Sequence, residues 1–344
     1  MSNLTVNSTG KSTGNTGGGS NALTRLLQTR EIALVVMILI VGIILQVATG
    51  RFFTVPNLNA IALGFATSAI MVFGMTAALV SGGFDLSVGS VFALGGVIVA
   101  VALRDGVPIP LAMLLGVGVG LLTGFVNGLL ITKAEINPFI TTLGMLGIAR
   151  GIGMAITEGS PLPIRTQDFL VYGQGRTFFD IPNLIIIALL VILIGDFLMR
   201  RSVAFRQIYF VGGNEEAARL YGINVGRVKI GVYALSGFLA ALAGVLSTSR
   251  FTVADPGTGV GEELRIIAAC IIGGCSLSGG KGTVIGGLIG LIFVGFINNG
   301  MTLLRVSVYW RPVDDGHPSC WWRWVSIPSA SVGKHVQGKR KLST

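Results

Sequence analysis

From Ile32 to Leu304 the chain is a series of long apolar stretches separated by short clusters of Gly, Pro and charge. With those clusters as punctuation, the hydropathy predicts helices at 32–49, 60–80, 88–103, 107–132, 139–156, 182–199, 230–248, 264–275 and 283–304. Most approach the ~20 apolar residues that a bilayer-crossing helix needs. The eighth is too short to cross as a straight helix. Residues 1–22 are almost all Ser, Thr, Asn and Gly, which cannot bury enough apolar area to offset the entropy of ordering them. A disordered cytoplasmic arm is therefore expected over residues 1–30. The first apolar run lacks a small-residue cleavage site, so it is expected to be a retained span and not a signal peptide.

Composition narrows the class. Hydrophobic residues make up 51% of the chain and charged ones 12%, with a mean hydropathy of +0.77, more apolar side chains than a water-soluble core could bury. The expectation is an all-α polytopic membrane protein with about nine to ten transmembrane helices, its membrane domain covering residues 31–310. Six of the 25 basic and two of the 15 acidic residues follow Trp310, which leaves 19 against 13 before it, so no nucleic-acid partner is invoked. If the N-terminus is inside and every run crosses, 11 of those 19 basic residues fall inside and 7 outside, with Arg150 within a span. That distribution favours a cytoplasmic N-terminus. Six of the inside charges lie in the loop 200–229, the natural docking place for a cytoplasmic partner.

Glycine is the next signal. Gly116, Gly120, Gly124 and Gly128 recur on one helix face, a pattern that lets a second helix approach to backbone contact, and Gly282, Gly286 and Gly290 repeat it. Packing seams are the expectation for both. In addition, Gly82, Gly83, Leu86, Ser87, Gly89, Gly95 and Gly96 match Gly273, Gly274, Leu277, Ser278, Gly280, Gly286 and Gly287 in the frame GGxxLSxGxxxxxGG. An internal duplication is inferred. An even number of runs separates the copies, so the repeat is expected to be parallel. Gly-interrupted apolar segments at corresponding places in two halves point to a substrate path, because irregular backbone within a membrane is tolerated where it lines a cavity.

The polar residues near that expected path are Asp85, Ser87, Asn127, Ser278, Asn298 and Asn299. A carboxylate or amide in an apolar segment is costly unless paired or wetted, which makes each a candidate. Asp85 has a competing role as a cap for the helix that follows it. Asn127 is read first as an interhelical hydrogen bonder. Asn298 and Asn299 are adjacent, about 100 degrees apart on a helix, so at most one is expected to face a given cavity.

Several chemistries are missing. The stretch CSLSGGKGT, Cys275 to Thr283, has Cys275 where a phosphate-cradling loop needs Gly and Gly282 where it needs Ser or Thr. Both histidines, His317 and His335, lie in the tail, and Cys270, Cys275 and Cys320 show no CxxC spacing. No catalytic residue, metal or cofactor is expected. An ion-coupled secondary transporter of a small polar solute is the alternative class, though Asp85, Arg150 and Asp196 are its only ionisable groups near span interiors.

At 211–237 the loop reads VGGNEEAARLYGINVGRVKIGVYALSG. It resembles the loop of ABC-transporter permeases in which Glu-Ala-Ala is followed, after three more residues, by Gly; Glu216, Ala217, Ala218 and Gly222 fit. Physically it is a short helix capped by Asn214, with Glu215 and Glu216 in its first turn and Gly222 closing it. With SGGFDLSVGS at 81–90, GGCSLSGGKGT at 273–283 and GFINNGMTLL at 295–304, the chain is similar to the permease subunits of bacterial ribose-type sugar ABC importers, from about residue 30 to Trp310. The resemblance implies an inner-membrane dimer of two permease copies or paralogues embedded in lipid. It also implies a cytoplasmic ATP-binding subunit and a periplasmic sugar-binding protein. The family's usual ten spans exceed the nine runs by one, at the C-terminus.

Residues 311–344 break with the rest. All four tryptophans lie at or beyond Trp310. Read from the third base of each codon, the stretch Cys320 to Val325 gives Leu-Val-Ala-(Leu/Val/Met)-Gly, the start of an apolar helix, where the Arg323 codon is CGN, because Trp has a single codon. This tail is expected to be the product of a frameshift, with a native amphipathic tail as the alternative. Resequencing codons 305–344 should reveal a lost or extra base; an intact frame relative to close relatives would overturn the reading.

Overall fold

The computed structural model describes residues 30–178 and 180–305; the arm before residue 30 and the tail 311–344 lie outside them. Each of the nine apolar runs falls on a helix: α1 Arg30–Thr49, α2 Val55–Val80, α3 Val88–Arg104, α4 Ile109–Lys133, α5 Pro138–Thr157, α7 Asn183–Arg201, α10 Val225–Phe251, α11 Glu262–Ile272 and α12 Val284–Leu303. Among the described residues, seven helices are long and apolar enough to cross a membrane; α3 has 17 residues and α11 only 11. The short helices α6 Val171–Gln174, α8 Val203–Gly213 and α9 Glu215–Leu220 complete the set. The protein is an all-α polytopic membrane protein.

Its centre is α2, buried without a break from Ser68 to Val80, wrapped by α7, α10, α11 and α12. By contrast α1 turns Leu39, Ile43, Ile44 and Val47 outward. In a lipid solvent an exposed apolar face costs nothing, so α1 needs only the contact that Leu45 and Phe52 make with Phe296 and Ile61.

The glycine face of α4 is a seam against α10. A methyl group at Gly120 would stand 2.3 Å from the Gly237 carbonyl oxygen, at Gly124 2.1 Å from that of Tyr233, and at Gly128 2.6 Å from the Ile230 Cα. Gly286 and Gly290 meet the backbone of α11 at Gly273 and Ala269 in the same way. Gly282 does not belong to that helical row, because α12 begins only after its N-cap Thr283.

At the end where α10 finishes, β1 Leu162–Pro163 pairs antiparallel with β4 Val253–Ala254, and β2 Arg176–Phe178 with β3 Ile181–Pro182. The Ser249 hydroxyl donates to the Phe169 carbonyl and accepts from the Gly173 amide, fastening this cap to α10. From β4 to Gly261 the chain is a run of turns, and α11 starts only at Glu262, so this segment is half irregular and half helical. The Arg150 guanidinium on α5 donates to the Pro256 and Thr258 carbonyls at 2.5 and 2.7 Å, which satisfies both the half-buried cation and the irregular backbone.

Candidate functional site

The opposite end of the bundle carries α8, α9 and the start of α10. Asn214 accepts from the Ala217 amide at 2.9 Å and Asn224 accepts from the Arg227 amide at 3.0 Å, so two Asn caps start two successive helices ten residues apart. Between them Gly222, at φ +80, makes the left-handed turn that a side chain would strain. Ala218 is buried against Val211, Val225 and Val228, while Glu216 faces outward. Ala217 is half-buried.

Glu215 is the electrostatic pin of this corner, bonding Lys229 at 2.6 Å and Arg219 at 2.8 Å. Partial burial pushes its carboxyl up, but the two cations prevail and hold it below the usual glutamate range. A depressed carboxylate contributes stability above its unfolded pKa and loses it as pH falls through the folded one. Amide protection over 216–223, exchange divided by its intrinsic rate at each pH, should therefore stay flat from neutral pH and fall only below about pH 4. Glu215→Gln should show low protection throughout. A fall centred near neutral pH would contradict the assignment.

What the sequence did not single out is the exposed pair that ends α9, Leu220 at 85% and Tyr221 at 87% exposure. Beside it, Glu215, Arg219, Gly222 and Lys229 line a polar cavity of about 890 Å³ with Glu135 and Asn137 of the α4–α5 turn.

Both glycine-framed turns come to this end of the bundle and meet α8. The Gly280 amide donates to the Val80 carbonyl at 2.9 Å, Tyr209 of α8 donates to the Gly282 carbonyl at 2.9 Å, and a Cβ at Gly212 would overlap the Val80 carbonyl. Locally the turns match. Ser87 donates its amide and its hydroxyl to Asp85, at 3.0 and 2.5 Å; Ser278 pairs with Ser276 through the same two groups, at 3.3 and 2.8 Å. They diverge afterwards: α3 starts directly after Ser87, α12 only after Thr283.

The structure joins three of the sequence candidates and separates the rest. Asp85, Ser87 and Asn127 form one fully buried cluster in which the Asn127 amide donates to the Ser87 hydroxyl at 3.0 Å, tying α4 to the turn. Tyr233 of α10 donates to the Phe84 carbonyl at 3.1 Å, and Ser236 approaches Asp85 without bonding it. Ser278 is exposed and far from this cluster in character. Asn298 and Asn299 both line one cavity of about 320 Å³ between α2, α11 and α12, against the expectation that only one could face it. The cavity wraps the edge of α12, which lets neighbouring positions share it. Asn299 exchanges hydrogen bonds with Asn57 at 3.1 and 3.0 Å, and Arg265, which the sequence reading passed over, reaches the same space. Among the described residues no group of acidic, Cys or His side chains could hold a metal.

Comparison with known proteins fits this architecture. Residues 57–316 match the family described as branched-chain amino acid transport system, permease component. The chain belongs to this permease family. The Ribose import permease protein RbsC of Escherichia coli K12 is 40% identical over 286 residues, 82% of this chain and 88% of that protein. RbsC of Bacillus subtilis 168 is 40% identical over 80% of this chain and 86% of its own length. The L-arabinose transport system permease protein AraH of Escherichia coli K12 is 36% identical over 75% of this chain and 79% of its own. No solved structure gives a significant match. The permease is thus a multi-pass protein of the inner membrane.

Proposed function

We propose that this permease moves a monosaccharide across the membrane as the transport subunit of an ATP-driven importer and leaves hydrolysis to a separate ATP-binding subunit. One observation carries the reading: α9 holds Leu220 and Tyr221 clear of the protein on a helix capped at both ends, a knob shaped for a groove in a partner. The ATPase-facing end is then cytoplasmic, as is the N-terminus. The opposite end, under the β1–β4 cap, receives sugar from a periplasmic binding protein. Sugar is favoured over a branched-chain amino acid by the relatives named for ribose and arabinose import. A second permease copy or paralogue completes the path. The parallel repeat belongs to this proposal, supported by the two matching turns beside α8. So do the path roles of Asp85, Ser87, Asn127, Ser278, Asn298 and Asn299.

An ion-coupled mechanism would need ionisable groups free in mid-span. Arg150 is engaged by two carbonyls and Asp196 by Arg200 at 2.6 Å, while Asp85 accepts from Ser87 through Oδ1 alone and has no cation beside it among the described residues. Proteoliposomes containing the permease should take up D-ribose or L-arabinose with the ATP-binding subunit, ATP and the binding protein present. Uptake driven by a sodium or proton gradient without that subunit would overturn the proposal.

A further inference from the structure

Under the β1–β4 cap a cavity of about 300 Å³ opens between α3, α10 and the irregular stretch that follows α10. Phe92, Ser247, Thr248, Phe251, Asp255 and Thr258 give it its chemistry. These residues come from three separate segments, and none stands in a motif. Together they offer two phenyl rings, three hydroxyls and one carboxylate.

The polar groups are held open. Thr49, Thr132, Thr142 and Thr157 each turn their hydroxyl back onto the carbonyl four residues earlier, the usual way for a threonine to satisfy itself in an apolar helix. Ser247 and Thr248, 6% and 4% exposed, make no hydrogen bond to a protein group among the described residues, and Thr248 sets its hydroxyl at the cavity edge beside Gly96 of α3. Asp255 closes its own turn with Oδ1, which accepts from the Gly257 amide at 2.8 Å, and leaves Oδ2 without a hydrogen-bond donor. The wall that carries Asp255 and Thr258 is also firmly placed, between the β4 pairing and the Arg150 guanidinium.

We infer that this cavity is a monosaccharide subsite of the permease itself, with Asp255, Thr248 and Ser247 bonding ring hydroxyls and the phenyl rings covering the apolar face of the sugar. A pocket that is mostly apolar with a few convergent polar groups is the usual form of a small-molecule site. The lining carries one carboxylate and no basic side chain, so it suits a neutral polyol and leaves the carboxylate of an amino acid without a counterion. The inference rests on the sugar-import reading, and it places a selective step in a subunit otherwise regarded as a passage.

The test uses the complete importer in proteoliposomes, with Thr258→Cys in a Cys320→Ser background; Cys270 and Cys275 are buried. A charged maleimide is added on the side opposite the ATP-binding subunit, with D-ribose, L-arabinose or L-leucine as probe. A transported sugar should slow labelling, leucine should not, and adding Asp255→Asn should weaken protection about tenfold, as loss of a charged hydrogen bond does. Thr248→Val should lower uptake turnover at saturating binding protein while ATP hydrolysis persists. Unchanged labelling in vesicles that import the sugar would overturn the subsite alone and leave Asp255 as a turn residue. If vesicles holding the permease with Thr258 intact import no sugar at all, the sugar-import reading falls and the subsite falls with it.

Discussion

Gly124→Val is expected to prevent accumulation of the folded permease, whereas Gly118→Val on the same helix should be silent. At Gly124 even the first added carbon would stand 2.1 Å from the Tyr233 carbonyl oxygen, and both atoms are backbone-fixed; at Gly118 nothing lies within 4 Å. Because α10 packs as closely at Gly120 and Gly128, it cannot tilt away at one point without opening the whole seam. Membrane helices associate through close packing, not hydrophobic exclusion, so the lost contact is not replaced. The cost should be on the order of 4 kcal/mol, at the extreme of single substitutions. Yield, monodispersity in detergent and thermal unfolding of the two variants decide it. Two equally well-behaved proteins would show that the seam yields easily.

Leu220→Asp is expected to uncouple ATP hydrolysis from uptake in a permease that remains folded. Leu220 and Tyr221 are almost wholly exposed and support nothing within the chain, so their replacement should leave the thermal transition where it is. At an interface, however, a central apolar or aromatic anchor is worth about 2 kcal/mol or more, roughly thirtyfold in affinity for the ATP-binding subunit. Glu216→Lys and a bulky residue at Gly222 should act in the same direction, the second by straining the φ +80 turn. Ala218→Asp, buried against Val211 and Val225, should instead disorder the corner and lower the transition. Co-purification of the ATP-binding subunit, measured beside uptake, tells the two failures apart. Full coupling in Leu220→Asp would mean that the partner seats elsewhere.

The sequence by itself determined the membrane class, the position of all nine apolar helices and the shape of the corner that α9 forms with α10. Each depends on neighbours along the chain: hydropathy over about twenty residues, an Asn three residues before the amide it caps, a Gly where φ must be positive. Motif spacing was equally legible, which is why the permease family could be reached from four short segments.

The tertiary structure decided which faces meet. Hydropathy cannot tell that the α4 glycines face α10, that Asn298 and Asn299 share a cavity with Arg265, or that Arg150 is satisfied by carbonyls more than a hundred residues away. It also cannot distinguish the buried Ser87 from the exposed Ser278, since both sit in the same LSxG frame and what packs over each comes from elsewhere in the chain. In lipid every outward face is apolar, so the buried and exposed sides of a helix read alike, and only contacts between distant segments separate them.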